Sequence, residues 1–299
     1  MATHQQTTGP EPAPDRGERS EYGAVTPRDD LENLEIDLLL EGIYRQYGFD
    51  FREYARGSIK RRLWRRVYAE GVENVSALQE RVLHDPACME RLLLDLSINV
   101  TSMFRDINFY RSLREKVVPM LRTYPFIRVW NPGCATGEET YSLAILLREE
   151  GLYDKTKIYA TDINDSVLGI ARRGLFPLER MRDYTENYIK SGGSVAFSEY
   201  YTAGVEGAQF NESLAENLVF AQHNLVSDRS FNEFHMIVCR NVMIYFDKSL
   251  QDHVHDLFYN SLVMFGVLAL GRKETIRFTR NEHAYDAIDE PEKIFRRVR

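Results

Sequence analysis

The stretch 127–147 constrains this chain most. A short apolar, β-branched run (Ile127 to Trp130) breaks at Asn131-Pro132-Gly133 and resumes with helical spacing through Tyr141, Leu143, Ala144 and Leu147. That pattern predicts a strand, a tight turn and a helix start. Gly133, Ala135 and Gly137 are small at every second position, which lets a ligand come close to the backbone. Glu138 and Glu139 then open the helix. A helix N-terminus ordinarily attracts anions, so two acids there repel phosphate and suit a ligand with positive charge and hydroxyls. S-adenosylmethionine, with its ammonium, sulfonium and ribose, has that character. Taken alone, Gly-x-Ala-x-Gly is also a plain strand-to-helix turn of an α/β domain, because short glycine motifs are weak evidence.

The 299 residues are enough for one large or two ordinary domains, and 43% hydrophobic residues with 12% aromatics can build a core. A net charge of −7 offers no general attraction to nucleic acid, so any basic surface is local. No run reaches the length of a membrane span, and the start lacks the charged-then-apolar layout of a signal peptide. Cys88, Cys134 and Cys239 are far apart, with no C-x-x-C pair. They read as buried thiols of a cytoplasmic protein rather than a disulfide framework or a metal site.

Residues 1–30 are polar and rich in Pro, Gly, Gln and Thr, and are expected to form a flexible tail. Residues 31–100 have helical spacing throughout and predict a small all-α domain. Its first helix carries the stripe Leu34, Leu38, Leu39, Ile43 and Tyr47. Its second, 54–70, ends at Gly71 and bears Arg56, Lys60, Arg61, Arg62, Arg65 and Arg66 beside the apolar Ile59, Leu63, Trp64 and Val67. Such a concentration of cations in a net-acidic chain fits an acidic helical partner; a solvated outer face is the plain alternative. Further helices are expected over 75–84 and 87–96.

Residues 101–299 are expected to form the second domain. The polar stretch 99–106 reads as a junction lining the cleft between the two, with structural capping by Asn99 or Thr101 as the alternative, followed by a helix over 109–121. Asp162 closes the second strand within roughly 20 to 30 residues of the turn, where an acid binds ribose hydroxyls in nucleotide-binding α/β folds. A helix N-cap is the alternative for it. Residues 183–222 break the β-α rhythm and predict a small antiparallel insertion. Asn224-Leu225 and Arg240-Asn241 follow strand ends, where open α/β sheets bind ligands. The helix 251–264 and strands at 267–270 and 294–298 complete the expectation.

Together, Asn99-Val-Thr-Ser-Met-Phe-Arg-Asp106, the glycine turn with Glu-Glu-Thr-Tyr-Ser142, Ala160-Thr-Asp162, Asn224-Leu225 and Cys239-Arg-Asn-Val-Met-Ile-Tyr-Phe-Asp247 resemble the CheR-type chemotaxis methyltransferases. The resemblance runs in order from about residue 31 to the end. It implies a class I S-adenosylmethionine-dependent methyltransferase sheet (α/β, Rossmann-like) with an N-terminal all-α domain and a β insertion. It also implies methylation of glutamate side chains on the cytoplasmic helices of chemoreceptors. By the same resemblance Asn99, Thr101, Arg105, Gly133, Glu139, Asp162, Asn224, Leu225, Asn241 and Val242 bind the cofactor, with the choice between Glu138 and Glu139 left open. The basic helix, Arg56 to Arg66, is implied to face the receptor.

Two departures stand out. Met103-Phe104 replaces the family's pair of phenylalanines, and Gly271-Arg272-Lys273-Glu274 replaces its Gly-His-Ser-Glu. The insertion carries no match to a receptor-tail docking sequence. A glutamate carboxylate is already ionised at pH 7, so its methylation asks for alignment rather than a general base or a metal. Arg105 is expected to orient that carboxylate and Tyr245 to hold it by a hydroxyl hydrogen bond. A non-catalytic S-adenosylmethionine-binding sensor, or a methyltransferase with another acceptor such as RNA, are the alternatives. An NAD dehydrogenase is disfavoured by the two acids at the turn and the lack of Gly-x-Gly-x-x-Gly.

Overall fold

The computed structural model describes residues 27–97 and 101–299. The tail expected over 1–30 therefore lies outside the described residues up to 26, whereas 27–30 already belong to a helix. Asn99 also lies outside them.

Four helices form the N-terminal unit: α1 (Pro27–Tyr47), α2 (Arg56–Glu70), α3 (Val75–His84) and α4 (Pro86–Leu96). Local chemistry fixes their ends. Gly71 takes φ +64° to close α2, the Asn74 side chain accepts from Ala77 N to start α3, and Asp85 accepts from Ala87 N ahead of Pro86 in α4. The core stripe of α1 is Ile36, Leu39, Leu40 and Ile43, at spacing i, i+3, i+4, i+7. Leu34 and Leu38, expected to be in that stripe, are exposed on the opposite side.

A helical segment follows as α5 (Ile107–Ser112), a π turn (Leu113–Val117) and α6 (Val118–Leu121). This is the helix expected over 109–121, widened where Pro119 cannot donate to the ladder. The chain then runs β1 (Ile127–Pro132), α7 (Glu138–Glu149), β2 (Thr156–Asp162), α8 (Asp165–Arg173), β3 (Leu175–Phe176), α9 (Met181–Lys190), β4 (Tyr201–Gly204) and β5 (Gly207–Phe210). It finishes with α10 (Glu212–Ala215), β6 (Leu218–Gln222), β7 (Phe234–Cys239), α11 (Lys248–Ser261), β8 (Leu262–Leu270), β9 (Tyr285–Asp289) and β10 (Ile294–Arg297).

The main sheet has the order β6-β2-β1-β7-β8-β10-β9. Its first five strands are parallel, and β10 returns antiparallel between β8 and β9. Strand order reverses at β1, which puts a ligand crevice beyond the carboxyl ends of β1, β2 and β7. This is the expected α/β class I methyltransferase sheet.

The antiparallel insertion is present as the small sheet β3-β5-β4, but its limits differ from expectation. Residues 218–222 are not part of it: β6 pairs in parallel with β2 as the edge of the main sheet. The insertion begins earlier, at β3, and α9 lies within it. Strand β9 was also not expected from the sequence.

Candidate active site

The turn after β1 is built from residues that accept unusual backbone. Gly133 takes φ +69°, Ala135 φ +48° and Gly137 φ +97°. A Cβ on Gly133 would stand 2.4 Å from Val242 Cγ2, so only glycine lets the loop after β7 approach the turn. Two bonds tie the turn to the end of β2: Cys134 N donates to Thr161 O at 3.0 Å, and Ala135 N to Asp162 Oδ2 at 3.0 Å. Asp162 Oδ1 accepts from Asn164 N at 3.0 Å. Burial pushes the Asp162 carboxyl up from its ordinary range, against the pull of these backbone donors. The helix N-cap in this stretch is Asn164, whose side chain accepts from Ser166 N. Asp162 is left to face the crevice.

The two acids of α7 part company. Glu138 turns into the protein, accepting from Thr136 Oγ1 at 2.6 Å and from the Tyr184 hydroxyl at 3.3 Å, and its burial raises its pKa. Glu139 turns into the crevice. Asn131 Nδ2 donates to Glu139 Oε2 at 3.0 Å, while Asn131 Oδ1 accepts from Thr140 Oγ1 at 2.7 Å, so a buried amide in β1 aims the carboxylate. Arg240, at the end of β7, donates to Glu139 Oε1 at 2.7 Å.

The loop after β7 hangs on one carboxylate. Glu274 is buried and accepts from Gly271 N at 2.6 Å, Asn241 N at 3.1 Å, Val242 N at 2.9 Å and Met243 N at 2.8 Å. Its pKa is raised by burial, opposed by those donors. The Gly271-Arg272-Lys273-Glu274 departure thus keeps the two residues that hold the loop. Arg272 and Lys273 are exposed, and Arg272 pairs with Glu292 at 2.7 Å.

One cleft of about 930 Å³, mouth included, collects Thr101, Arg105, Gly133, Glu139, Asp162, Asn224, Leu225, Asn241, Val242 and Tyr245. These are all the expected catalytic and cofactor residues that fall among the described ones. Arg105 sits between two residues in left-handed conformation, Phe104 (φ +50°) and Asp106 (φ +62°), a strained backbone of the kind found at functional sites.

The helical unit supplies part of the cleft wall through Tyr54, Leu96 and Ser97. Sequence reasoning gave none of these a role in the site, nor Asn131 and His223, and it marked Arg240 only by its place after a strand end. Arg240 stood inside a quoted motif at a strand end, which was the available signal. Tyr54 carried none, because its role depends on how the helical unit packs against the sheet.

The cations of α2 lie outside the cleft, and most are neutralised within the helical unit. Arg56 pairs with Asp37 at 2.5 Å, Lys60 with Glu32 at 2.8 Å, Arg65 with Asp95 at 3.4 Å, and Arg66 with Asp95 at 2.5 Å and Glu70 at 3.2 Å. Arg61 is exposed. Arg62 departs from the expected outer face: it falls at i+3 from Ile59, beside Leu63, and is buried with that inner stripe.

A sheet with this strand order, a small-residue turn after β1, an acid at the end of β2 and a strand-end loop closing on the turn define a class I S-adenosylmethionine-dependent methyltransferase. Residues 34–97 match the CheR methyltransferase all-alpha domain and residues 99–294 the CheR methyltransferase SAM binding domain, and the chain belongs to that family. It is 48% identical over 265 residues to a Pseudomonas putida protein with the provisional name methyltransferase Cher3, covering 89% of this chain and 97% of that one. It is 29% identical over 271 residues to the chemotaxis protein methyltransferase of Salmonella typhimurium, covering 86% and 89%. The chemotaxis protein methyltransferase of Borreliella burgdorferi is also 29% identical, over 261 residues, covering 83% and 90%.

Proposed function

We propose that this chain methylates glutamate side-chain carboxylates on the helical cytoplasmic region of chemoreceptors, giving glutamate methyl esters. The observation that carries this reading is that Arg105 and Tyr245 line the same cleft as Glu139 and Asp162. A cation and a phenol are thus gathered where a carboxylate can meet the cofactor. The relatives named chemotaxis protein methyltransferases support the acceptor class.

The cleft fits S-adenosylmethionine in its donor set. Asp162 retains lone pairs for ribose hydroxyls, Glu139 offers negative charge to the ammonium, and Gly133 and Ala135 leave backbone exposed to a flat group. Asn224, Leu225, Asn241, Val242 and Thr101 close the walls, and Asn99 is assigned here on the resemblance alone. When bound, the cofactor supplies a sulfonium methyl. The acceptor oxygen forms the new C–O bond as the C–S bond breaks, and no proton moves. Arg105 orients the incoming carboxylate and Tyr245 holds one of its oxygens by a hydroxyl hydrogen bond. Tight pairing with Arg105 would lower the nucleophile's reactivity, so its role is orientation.

The acceptor docks on α2. Arg61 and the exposed parts of Arg56, Lys60, Arg65 and Arg66 present the cations, in competition with the acids that already hold most of them. The helical unit thus handles the acceptor and the sheet unit the cofactor. The chain is proposed to work in the cytoplasm, meeting the membrane only through receptors. Three free buried cysteines support this, and among the described residues no helix is long and apolar enough to cross a membrane. A net charge of −7 argues against a nucleic-acid acceptor.

The test is transfer of labelled methyl to receptor-containing membranes, read as base-labile label in a receptor band. Tyr245→Phe should lower kcat about tenfold to hundredfold while S-adenosylhomocysteine still binds. Arg105→Ala should weaken both. Cofactor binding without transfer to any receptor would defeat this reading.

A further inference from the structure

Among the cations of α2, Arg62 stands apart. It is only 7% exposed, and no ion pair holds it among the described residues. Its guanidinium carbon lies 4.8 Å from the centroid of the Tyr245 ring, and its Nη1 donates to Leu96 O at 3.3 Å. A buried guanidinium without a carboxylate is costly, and burial pulls its pKa down while Tyr245 works the other way. Its position over the ring is the compensating contact.

The same segment of the helical unit also grips the loop that carries Tyr245. Ala55 N donates to Tyr245 O at 2.8 Å, and Asp247 N donates to Glu53 O at 2.9 Å. Tyr54 meets Phe246 edge to face with centroids 4.9 Å apart. The backbone of Tyr245 is therefore held by residues just ahead of α2, and its ring by a side chain about two turns along that helix.

We propose that Arg62 is a positioning residue for methyl transfer: its guanidinium, packed on the Tyr245 ring, sets where the Tyr245 hydroxyl stands. One helix then carries the acceptor on its outer face and the group that aligns the transfer tyrosine on its inner face. Arg62 is removed from the docking set and joined to the transfer site. This rests on the reading of Tyr245 as the holder of the acceptor carboxylate.

Arg62→Met keeps an unbranched stem without the planar cation, and Arg62→Lys keeps the charge without the plane. In Arg62→Met, kcat should fall about tenfold to hundredfold, the loss expected for a misplaced group in a positioned site, with acceptor KM and S-adenosylhomocysteine affinity unchanged. Arg62→Lys should fall in between. In a Tyr245→Phe background Arg62→Met should cost nothing more, because the hydroxyl it places is gone. By contrast, Arg61→Ala should raise acceptor KM. A rise in KM with intact kcat for Arg62→Met, or a full further loss in the Tyr245→Phe background, overturns the proposal. If Arg62→Met does not fold, judged by S-adenosylhomocysteine binding, Arg62→Lys carries the comparison.

Nuclear magnetic resonance of ring-labelled tyrosine separates this proposal from the acceptor assignment. The Tyr245 ring signals should move in both Arg62 variants whether or not receptors are the acceptor. Unmoved signals reject the positioning role. Moved signals together with no transfer by the wild-type chain would retain it and reject receptors as the acceptor.

Discussion

Arg240, at the end of β7, places Nη1 2.7 Å from Glu139 Oε1 at the start of α7. Its other arm reaches Asp106 Oδ2, and its guanidinium carbon lies 4.0 Å from the centroid of the Phe109 ring. One buried side chain thus joins the strand-end loop, the helix after the glycine turn and the segment that carries Arg105. Burial alone would lower the Arg240 pKa, and Glu139, Tyr110 and Asp106 outweigh it.

Arg240→Met should therefore be costly even though methionine fills much of the same space. It leaves the Glu139 and Asp106 carboxylates without their cation in a largely water-excluded site, a loss of about 3 kcal/mol on the scale of broken buried pairs. Cofactor affinity should fall with it, because Glu139 loses one of the two contacts that aim it. Urea unfolding and titration with S-adenosylhomocysteine measure the two effects. Stability within about 0.5 kcal/mol of wild type, the range of an ordinary surface change, would show that the bridge does not hold these elements.

Gly133→Ala tests the closeness of the turn to the loop after β7. The new methyl would stand 2.4 Å from Val242 Cγ2, at a backbone φ of +69°. Overpacking and left-handed strain together should cost about 1–3 kcal/mol and weaken S-adenosylhomocysteine binding. Val242→Ala added to Gly133→Ala removes the clash but leaves the strain, so it should restore part of the stability. A single variant as stable as wild type, or a pair no better than the single, would deny the contact.

The parts of this site that were legible in the sequence are those whose chemistry is local. The glycine turn and Asp162 announce themselves because small residues and a strand-end acid act where they stand. Glu138 and Glu139 could not be told apart, since neighbours on a helix point about 100° apart. Asn131, across the turn on β1, and Arg240, distant in sequence, aim the second of them. Leu218–Gln222 was misplaced because it is an edge strand, half-buried and exposed by turns, which mimics an amphipathic antiparallel strand. Tyr285–Asp289 went unseen because Asp286 and Asp289 give it the charged look of an edge. The inward turn of Arg62 was readable from its spacing with Ile59 and Leu63. Its meeting with Tyr245 was not, because that depends on how two units pack.

Glu70, at the end of α2, shows what holds the helical unit together and how pH should act on it. Its carboxylate accepts from Arg91 at 2.8 and 2.9 Å and from Arg66 at 3.2 Å, with Arg81 at 3.6 Å, so it ties α2 to α3 and α4. The Arg91 hydrogen bonds, aided by Arg66 against partial burial, pull its pKa from 4.5 to about 2. Between those two values the unfolded chain binds the proton more readily than the folded one. The stability Glu70 contributes is thus present above about pH 4.5 and lost as pH falls toward about 2. Asp162, Glu138 and Glu274 have the opposite sign: their pKa values are raised, and they cost stability as pH rises through them. A wild-type profile mixes both, so the difference between Glu70→Gln and wild type at each pH is the quantity to measure. The variant should be about 1 kcal/mol less stable near neutral pH, a modest figure because the Arg91 partner is half exposed and screened. The two urea-unfolding curves should converge as pH drops through the window. Curves that stay parallel down to about pH 2 would mean that Glu70 is not ionised preferentially in the folded chain.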